Sequence, residues 1–346
     1  EADAAFDRHD SSEQRLDGLR KLRRKETLRL AIASIFDEAD LSEQQAGLSD
    51  LYEIYLENIA REVMKDIDLD IGLIAMGRFG GRELGFGSDA DLVFVYEGDQ
   101  SQAKTAEEAV SAISEAAKDT SLEFELDLGL RPEGKKGAIV RSLDSYQSYY
   151  EKWGEIWEAQ ALLRSRPIFG SEKLRNKFSE MADSHRYPER VEEGSIREIR
   201  RIKARVENER LPLGADPARH LKLGRGSISD VEWLVQLYQL RFGAEYSEIQ
   251  TPFTLSALEN MQQVGLISEQ DSEILRSAWL MASAIRSGIV LATGKRNDSL
   301  PVDHRVLESV TKLIHLPGVN SGSELEEQYL STSRRARTVF ERLFFE

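Results

Sequence analysis

The sequence predicts an α+β protein, a small mixed sheet followed by a helical bundle. Three observations carry that prediction. Short apolar runs at 71–76 and 92–96 flank a glycine-rich loop and read as buried strands. Leu122, Phe124, Leu126 and Leu128 alternate with Glu123, Glu125 and Asp127. That is the two-residue period of a third strand with one apolar and one acidic face. From about Ser142 onward the apolar spacing turns helical, with Pro188, Pro212, Pro217, Pro301 and Pro317 as breakers.

Leu16, Leu19 and Leu22 recur at helical spacing, and Ile32 and Ile35 continue the signal. Leu51, Ile54, Tyr55, Ile59 and Val63 mark a second helix. The basic cluster at 20–25 reads as a solvated helix face. An Ala- and Glu-rich stretch at 103–119 is a helix by propensity. Further helices are predicted over 142–165, 171–182, 192–209, 227–242, 254–264, 269–292, 303–314 and 323–345. Trp233 and Trp279 read as core residues. Ser229, Asp230 and Glu232 open one helix and suit its N-terminus by capping and by charge. Arg197, Arg201 and Arg205 form a basic stripe expected to pair with Glu198 and Glu207. No repeat of fixed period occurs. The expected organisation is an N-terminal helical segment (1–65), a catalytic α+β domain (66–185) and a helical bundle (190–346).

Bulk properties bound the function. A chain of 346 residues, 40% hydrophobic and 31% charged, has room for two or three domains with a sizeable core. Its formal charge of -15 disfavours a partner gripped along a phosphate backbone, so no nucleic-acid partner is expected. The absence of cysteine excludes disulfides and thiolate zinc sites and suits a cytoplasmic location. His9, His185, His220, His304 and His315 show no metal-binding spacing and read as structural or surface residues. No run of eighteen apolar residues predicts a membrane span. The polar opening EADAAFDRHDSSEQ lacks the apolar stretch of a signal peptide, and without an initiator Met the chain reads as a piece of a longer protein.

The strongest chemical signal is Asp89 and Asp91, entering the second strand behind Gly87 and Ser88. Side chains at i and i+2 of an extended segment share a face, with Cα atoms roughly 6–7 Å apart. Two carboxylates so placed repel unless a cation lies between them, and divalent ions would meet that need while clamping a triphosphate. Acids at the head of an apolar strand also violate local preference, as functional sites tend to. A third carboxylate, able to ligate metal or take a proton, comes from the acidic face of the third strand. Asp127, Glu123 and Glu125 all lie on that face, and spacing does not choose among them. The glycines at 77, 80, 81, 85 and 87 let backbone N–H groups approach phosphate oxygens. Ser88 adds a hydroxyl, and Arg78, Arg82 and Arg131 add positive charge. Neither a Walker A loop nor a dinucleotide-binding glycine fingerprint is present. An acidic pair or a glycine loop alone is commonly just a turn; the ordered combination is what specifies a metal-dependent nucleotidyltransferase.

The segment MGRFGGRELGFGSDADLVFVYEG resembles the signature of glutamine synthetase adenylyltransferases. ELDLGLRPEGKKGAIVRSLDSYQSYY, WGEIWEAQALLRSRP and RRIKARVENERLPLGADPARHLKLGRGSISDVEWLVQLYQLRFG resemble later stretches of the same family in the same order. The resemblance covers nearly the whole chain. It implies a DNA polymerase β-like nucleotidyltransferase domain with a helical bundle behind it. It also implies Mg²⁺ held by Asp89, Asp91 and Asp127, with ATP as co-substrate. Gly87 and Ser88 match the nucleotide-gripping turn, and Arg131 matches the arginine of a Leu-Arg-Pro motif. The chain departs in carrying Arg78 where relatives often have lysine, and Gly129 where many have a further arginine.

Family enzymes have two related halves, one attaching AMP to a tyrosine of glutamine synthetase and one removing it by phosphorolysis. WEAQALLRSRP and the terminal SRRARTVFERLFFE resemble the attaching half. The expected reaction is transfer of AMP from ATP to glutamine synthetase with release of pyrophosphate, down-regulating nitrogen assimilation. The resemblance implies the PII signalling protein as regulator and glutamine as effector. Alternatives are the AMP-removing half, a template-free RNA polymerase, and a non-catalytic module sensing nucleotide, glutamine or PII.

Overall fold

The structure is a computed structural model and describes residues 11–346, so His9 lies outside the described residues. The chain divides into two compact units. Of the described residues, the first takes those up to Ile32, then Ser42–Leu84 and Ser88–Arg186; the second takes Ala33–Leu41, Gly85–Gly87 and Tyr187–Glu346.

In the first unit, helices α1 (Ser12–Ile35) and α2 (Leu41–Met64) precede strand β1 (Asp70–Ala75). A single helical turn, α3 (Gly77–Gly80), leads to β2 (Ala90–Glu97) and α4 (Ala103–Ala117). Then come β3 (Leu126–Asp127), β4 (Val140–Ser142), α5 (Leu143–Trp153), α6 (Ile156–Leu162), β5 (Arg166–Phe169) and α7 (Glu172–Arg186). β1 is central and antiparallel to both β2 and β5. The far edge of β2 is shared: β3 pairs in parallel with its first residues and β4 with its last. Residues 92–96 are buried whatever face they point to, which explains the unbroken apolar run. On one face Ile74, Met76, Val93 and Val95 pack with Tyr146 and Tyr150 of α5 and Leu174 and Phe178 of α7. Each such side chain, fully buried, stabilises by about 1.5–3 kcal/mol before entropy is counted.

Four sequence expectations are corrected here. The third strand is shorter than its alternation suggests. Asp119 Oδ1 accepts from the Ser121 and Leu122 amides, and a bridge joins Asp119 to Phe124, so Leu122 sits exposed on a turn. The helix expected over 142–165 is two helices, because Gly154 leaves the helical conformation at ψ 120° and ends α5. The chain breaks there, and α6 restarts with the Glu155 amide donating to Glu158. β4 and β5 were not expected: one has three residues, and the other is an edge strand carrying Pro167. The 20–25 cluster is not simply solvated either. Arg23 is fully buried, 4.8 Å from the Phe124 ring centre, and pairs with Asp119, which Arg24 also holds.

The second unit is helical: α8 (Glu193–Glu209), α9 (Ile228–Phe242), α10 (Thr254–Gln263), α11 (Glu269–Thr293), α12 (His304–Ile314) and α13 (Gly322–Phe345). α11 packs against α9, α10, α12 and α13. It starts at Ser268, whose hydroxyl accepts from the Asp271 amide, and ends at Gly294 in the left-handed region. By length and composition α11 could cross a membrane; here 61% of its most apolar window is buried in the protein. Gly288 lets α12 approach, since a Cβ there would lie 2.5 Å from Ile314. Trp279 is fully buried, Trp233 half-buried. Asp230 does more than favour a helix start. It is buried, receives the Gly226 amide, and pairs with Lys203 of α8 and Arg337 of α13. Glu207 joins that group rather than the arginine stripe, of which Arg201 pairs with Glu198. His220 is buried, its Nδ1 accepting from the Lys222 and Leu223 amides, an ordinary structural histidine.

Candidate active site

The end of β1 and the start of β2 build the corner where the predicted acids lie. The Met76 amide donates to the Asp91 carbonyl at 2.9 Å, closing the ladder. Gly77 follows with φ 51°, a conformation few side chains tolerate. A Cβ there would stand 2.6 Å from Asp91 Oδ2, so the glycine makes room for the carboxylate. The first residues of the expected glycine-rich loop, 77–80, coil into a helical turn. Gly80 packs so closely on the neighbouring chain that a Cβ would fall 1.8 Å from the Arg164 carbonyl oxygen.

Asp91 is half-buried at the second position of β2, and its register partner in β3 is Asp127. Partners across a ladder project to the same face, so two carboxylates stand side by side. Asp89 immediately precedes β2 and is exposed. Glu123 lies in the Asp119–Phe124 turn and Glu125 before β3, both exposed. Register therefore places Asp127, of the three acids that spacing left open, beside Asp91. Asp127 Oδ1 accepts from the Gly129 amide at 2.7 Å, and a Cβ on Gly129 would lie 2.9 Å from that oxygen. Gly129 is thus fitted to the aspartate two residues before it.

The predicted phosphate-binding residues divide. Ser88 is half-buried directly ahead of Asp89, and Gly87, grouped with the second unit, takes φ 71°. Arg78 donates through Nε to the Glu83 carbonyl at 2.9 Å. Arg82 pairs with Asp50 of α2 at 2.6 Å. Arg131 gives each of its three nitrogens to a backbone carbonyl, at Leu128, Lys135 and Gly137. Its guanidinium closes the 128–137 loop behind Asp127, so its evident work is to shape that loop. Sequence reasoning missed the supports: the buried Glu83–Arg164 pair and the Arg166–Glu53 pair beside Gly80. No local signal pointed to them, because both join residues distant in the chain.

The donor set at this corner is all carboxylate, which suits a hard cation such as Mg²⁺. Adjacent like charges in register also favour a cation between them. As the side chains lie, no three His, Asp or Glu groups among the described residues are gathered closely enough to hold an ion. The fit is one of backbone placement and donor chemistry.

Residues 1–181 match the family described as glutamate-ammonia ligase adenylyltransferase. The chain belongs to that family. Residues 195–344 also match a second family, GlnD PII-uridylyltransferase. Among the curated proteins the chain is similar to are bifunctional glutamine synthetase adenylyltransferase/adenylyl-removing enzymes. That of Leifsonia xyli is 47% identical, covering 100% of this chain and 35% of the relative. That of Nocardia farcinica is 40% identical over 97% of this chain and 35% of the relative. That of Streptomyces coelicolor is 40% identical over 99% of this chain and 37% of the relative. The chain thus spans about a third of the length of the curated relatives it matches. The membership agrees with the resemblance read from the motif around Asp89 and Asp91.

Proposed function

We propose that this chain transfers AMP from ATP to a tyrosine hydroxyl of glutamine synthetase, with release of pyrophosphate. The observation that carries the reading is the register of Asp91 against Asp127, with Asp89 two residues ahead, in a chain of this family. The proposed catalytic domain is 66–185, of the DNA polymerase β type, between the N-terminal helices of 1–65 and the bundle of 190–346. Asp89, Asp91 and Asp127 would hold Mg²⁺, which when bound neutralises triphosphate charge and polarises the reacting phosphoryl group. Asp127 keeps Oδ1 on the Gly129 amide, leaving Oδ2 to receive the tyrosine proton. The tyrosine oxygen bonds to the α-phosphorus as the bond to the β-phosphate oxygen breaks, and that oxygen departs with the electron pair. Gly87 and Ser88 offer backbone and hydroxyl donors, and Arg78 positive charge, to the phosphates. Arg82 and Arg131 act at one remove, by bracing α2 and the 128–137 loop.

The match of 195–344 to a PII-uridylyltransferase family supports the bundle as the place where the PII protein or glutamine would act. The test is intact-mass spectrometry of glutamine synthetase after incubation with this chain, ATP and Mg²⁺. One AMP gained per subunit supports transfer. No gain, while Mg²⁺ and ATP are shown to bind, overturns it. A second reading is favoured by the relatives' bifunctional names, namely removal of AMP. Incubation with adenylylated glutamine synthetase and phosphate, with ADP as readout, separates the two.

A further inference from the structure

Two side chains of the first unit crowd the point where a Cβ on Gly129 would stand. Asp127 Oδ1 lies 2.9 Å from it and Lys135 Cε 3.8 Å. The carboxylate and the lysine stem are therefore no farther apart than those two distances laid end to end. Their charges nevertheless do not meet. Lys135 forms no ion pair among the described residues, and Asp127 Oδ1 is taken by the Gly129 amide. Lys135 is exposed, so an ammonium with three donors stands open beside Asp127, on a chain of net charge -15.

The backbone that presents this lysine is strained and held. Glu133 takes φ 64° and Gly134 φ 59°, two left-handed residues in succession, the first of them not a glycine. A Cβ on Gly137 would fall 2.1 Å from the Pro132 carbonyl oxygen, so the turn closes only on a glycine there. Buried Arg131 clamps the turn, and one of its bonds goes to the carbonyl of Lys135 itself, 3.0 Å from Nη2. Strain of this kind persists where the surroundings over-determine it, and such places cluster at ligand clamps. The clamp spends the main chain of Lys135 and leaves its side chain uncommitted.

We infer that Lys135 is a further catalytic residue, its ammonium donating to a non-bridging oxygen of the nucleotide's α-phosphate. In the proposed transfer Asp127 would receive the proton of the attacking hydroxyl, so it faces the phosphorus under attack. The departing oxygen lies opposite the nucleophile. A cation beside Asp127 therefore meets the α-phosphate rather than the leaving pyrophosphate. It adds one fixed positive charge to a corner otherwise built of carboxylates, where charge on the reacting phosphoryl group must be met. The inference rests on the proposed transfer for the identity of that phosphate, while the contact is measurable without turnover.

The test is calorimetry of this chain with Mg²⁺ and α,β-methylene-ATP, which cannot be cleaved at its α–β bridge. Lys135→Met keeps the stem and removes the charge, and the Arg131 bond to the main chain remains available. Its thermal midpoint should match wild type, while Kd for the analogue rises about tenfold or more. Affinity for adenosine, which has no phosphate, should not change. Lys135→Arg should recover most of the lost affinity. Lys136→Met, at the neighbouring exposed lysine, should bind as wild type does. With glutamine synthetase and saturating ATP, kcat should fall about 100-fold in Lys135→Met. Unchanged affinity for the analogue in Lys135→Met overturns the contact, and AMP transfer by wild type in the same series leaves the proposed function standing. Equal losses in Lys135→Met and Lys136→Met overturn it by making the loop a diffuse basic surface. A loss that comes with a lowered midpoint and is not recovered by Lys135→Arg overturns it as a folding effect. If affinity is lost only at Lys135, yet wild type labels nothing, the contact holds and the transfer reading fails. Wild type that binds no nucleotide overturns both.

Discussion

Asp91 of β2 and Asp127 of β3 are register partners across a parallel strand pair, two like charges where a sheet ordinarily sets opposite or neutral ones. Under the proposed function, a divalent cation would sit at this pair. With the proposed metal there, Asp91→Asn should reduce the stabilisation of the chain by Mg²⁺. It should also lower AMP transfer by about 100-fold or more. Thermal unfolding in chelator and in Mg²⁺ reads the first effect: the wild-type midpoint rises with Mg²⁺ and that of the variant moves less. Equal Mg²⁺ shifts for the two chains would remove the case for metal at this pair.

Gly80 is the tightest contact beside the site, with Arg164 and Ala75 carbonyl oxygens 1.8 and 2.7 Å from where a Cβ would sit. Both are backbone atoms and cannot swing aside. Gly80→Ala should cost about 1–3 kcal/mol, or more if the strand must shift. The urea midpoint should fall accordingly. Gly194→Ala, with open space around its Cβ and a place inside α8, should hold or gain stability.

The buried pair of Arg23 and Asp119 ties α1 to the turn before β3. Burial pushes the Asp119 carboxyl up, but hydrogen bonds from Arg24 and Arg23 outweigh it and hold the group below the usual carboxylate range. A depressed folded value means the stabilisation is present above the unfolded pKa of about 3.9 and is lost as pH falls through the folded one. Asp119→Asn should thus lower stability at pH 7 by about 3–5 kcal/mol, since it leaves buried Arg23 without its ion pair. The gap between wild type and variant should narrow below about pH 4. Denaturation midpoints at pH 7 and at acid pH check both the size and the direction.

The apolar runs at β1 and β2 and every helix from α7 to α13 were legible because their burial is periodic and local. The Asp-x-Asp pair was legible for the opposite reason, as acids where a strand should be apolar. Choosing Asp127 over Glu123 and Glu125 needed the register with β2, which depends on where the Asp119 turn ends. Arg23 was read as part of a solvated face because a charge reads as solvated until its partner is known, and its partner Asp119 lies 96 residues away in the chain. β5 was hidden because an edge strand with a proline carries little of the strand pattern.

Asp230 sits between Lys203 and Arg337, with Lys203 Nζ at 2.6 Å and Arg337 at 3.0 Å. Both cations also reach Glu207, and Arg337 reaches Glu341 as well. Burial pushes the Glu207 carboxyl up, yet Arg337 and Lys203 hold it below its ordinary value. Removing the anion and removing one cation are therefore unequal. Asp230→Asn leaves buried Lys203 with Glu207 alone, which Arg337 shares while keeping Glu341, and should cost about 3–5 kcal/mol. Lys203→Met leaves Asp230 still paired to Arg337 and to the Gly226 amide, and replaces a buried ammonium with an apolar chain of similar length. Its cost should be less than half as great. Hydrogen exchange of α8 amides, which Lys203 ties to α9, reads the difference locally. Protection should collapse in Asp230→Asn and persist in Lys203→Met; equal loss in both would show that the network works only as an indivisible set.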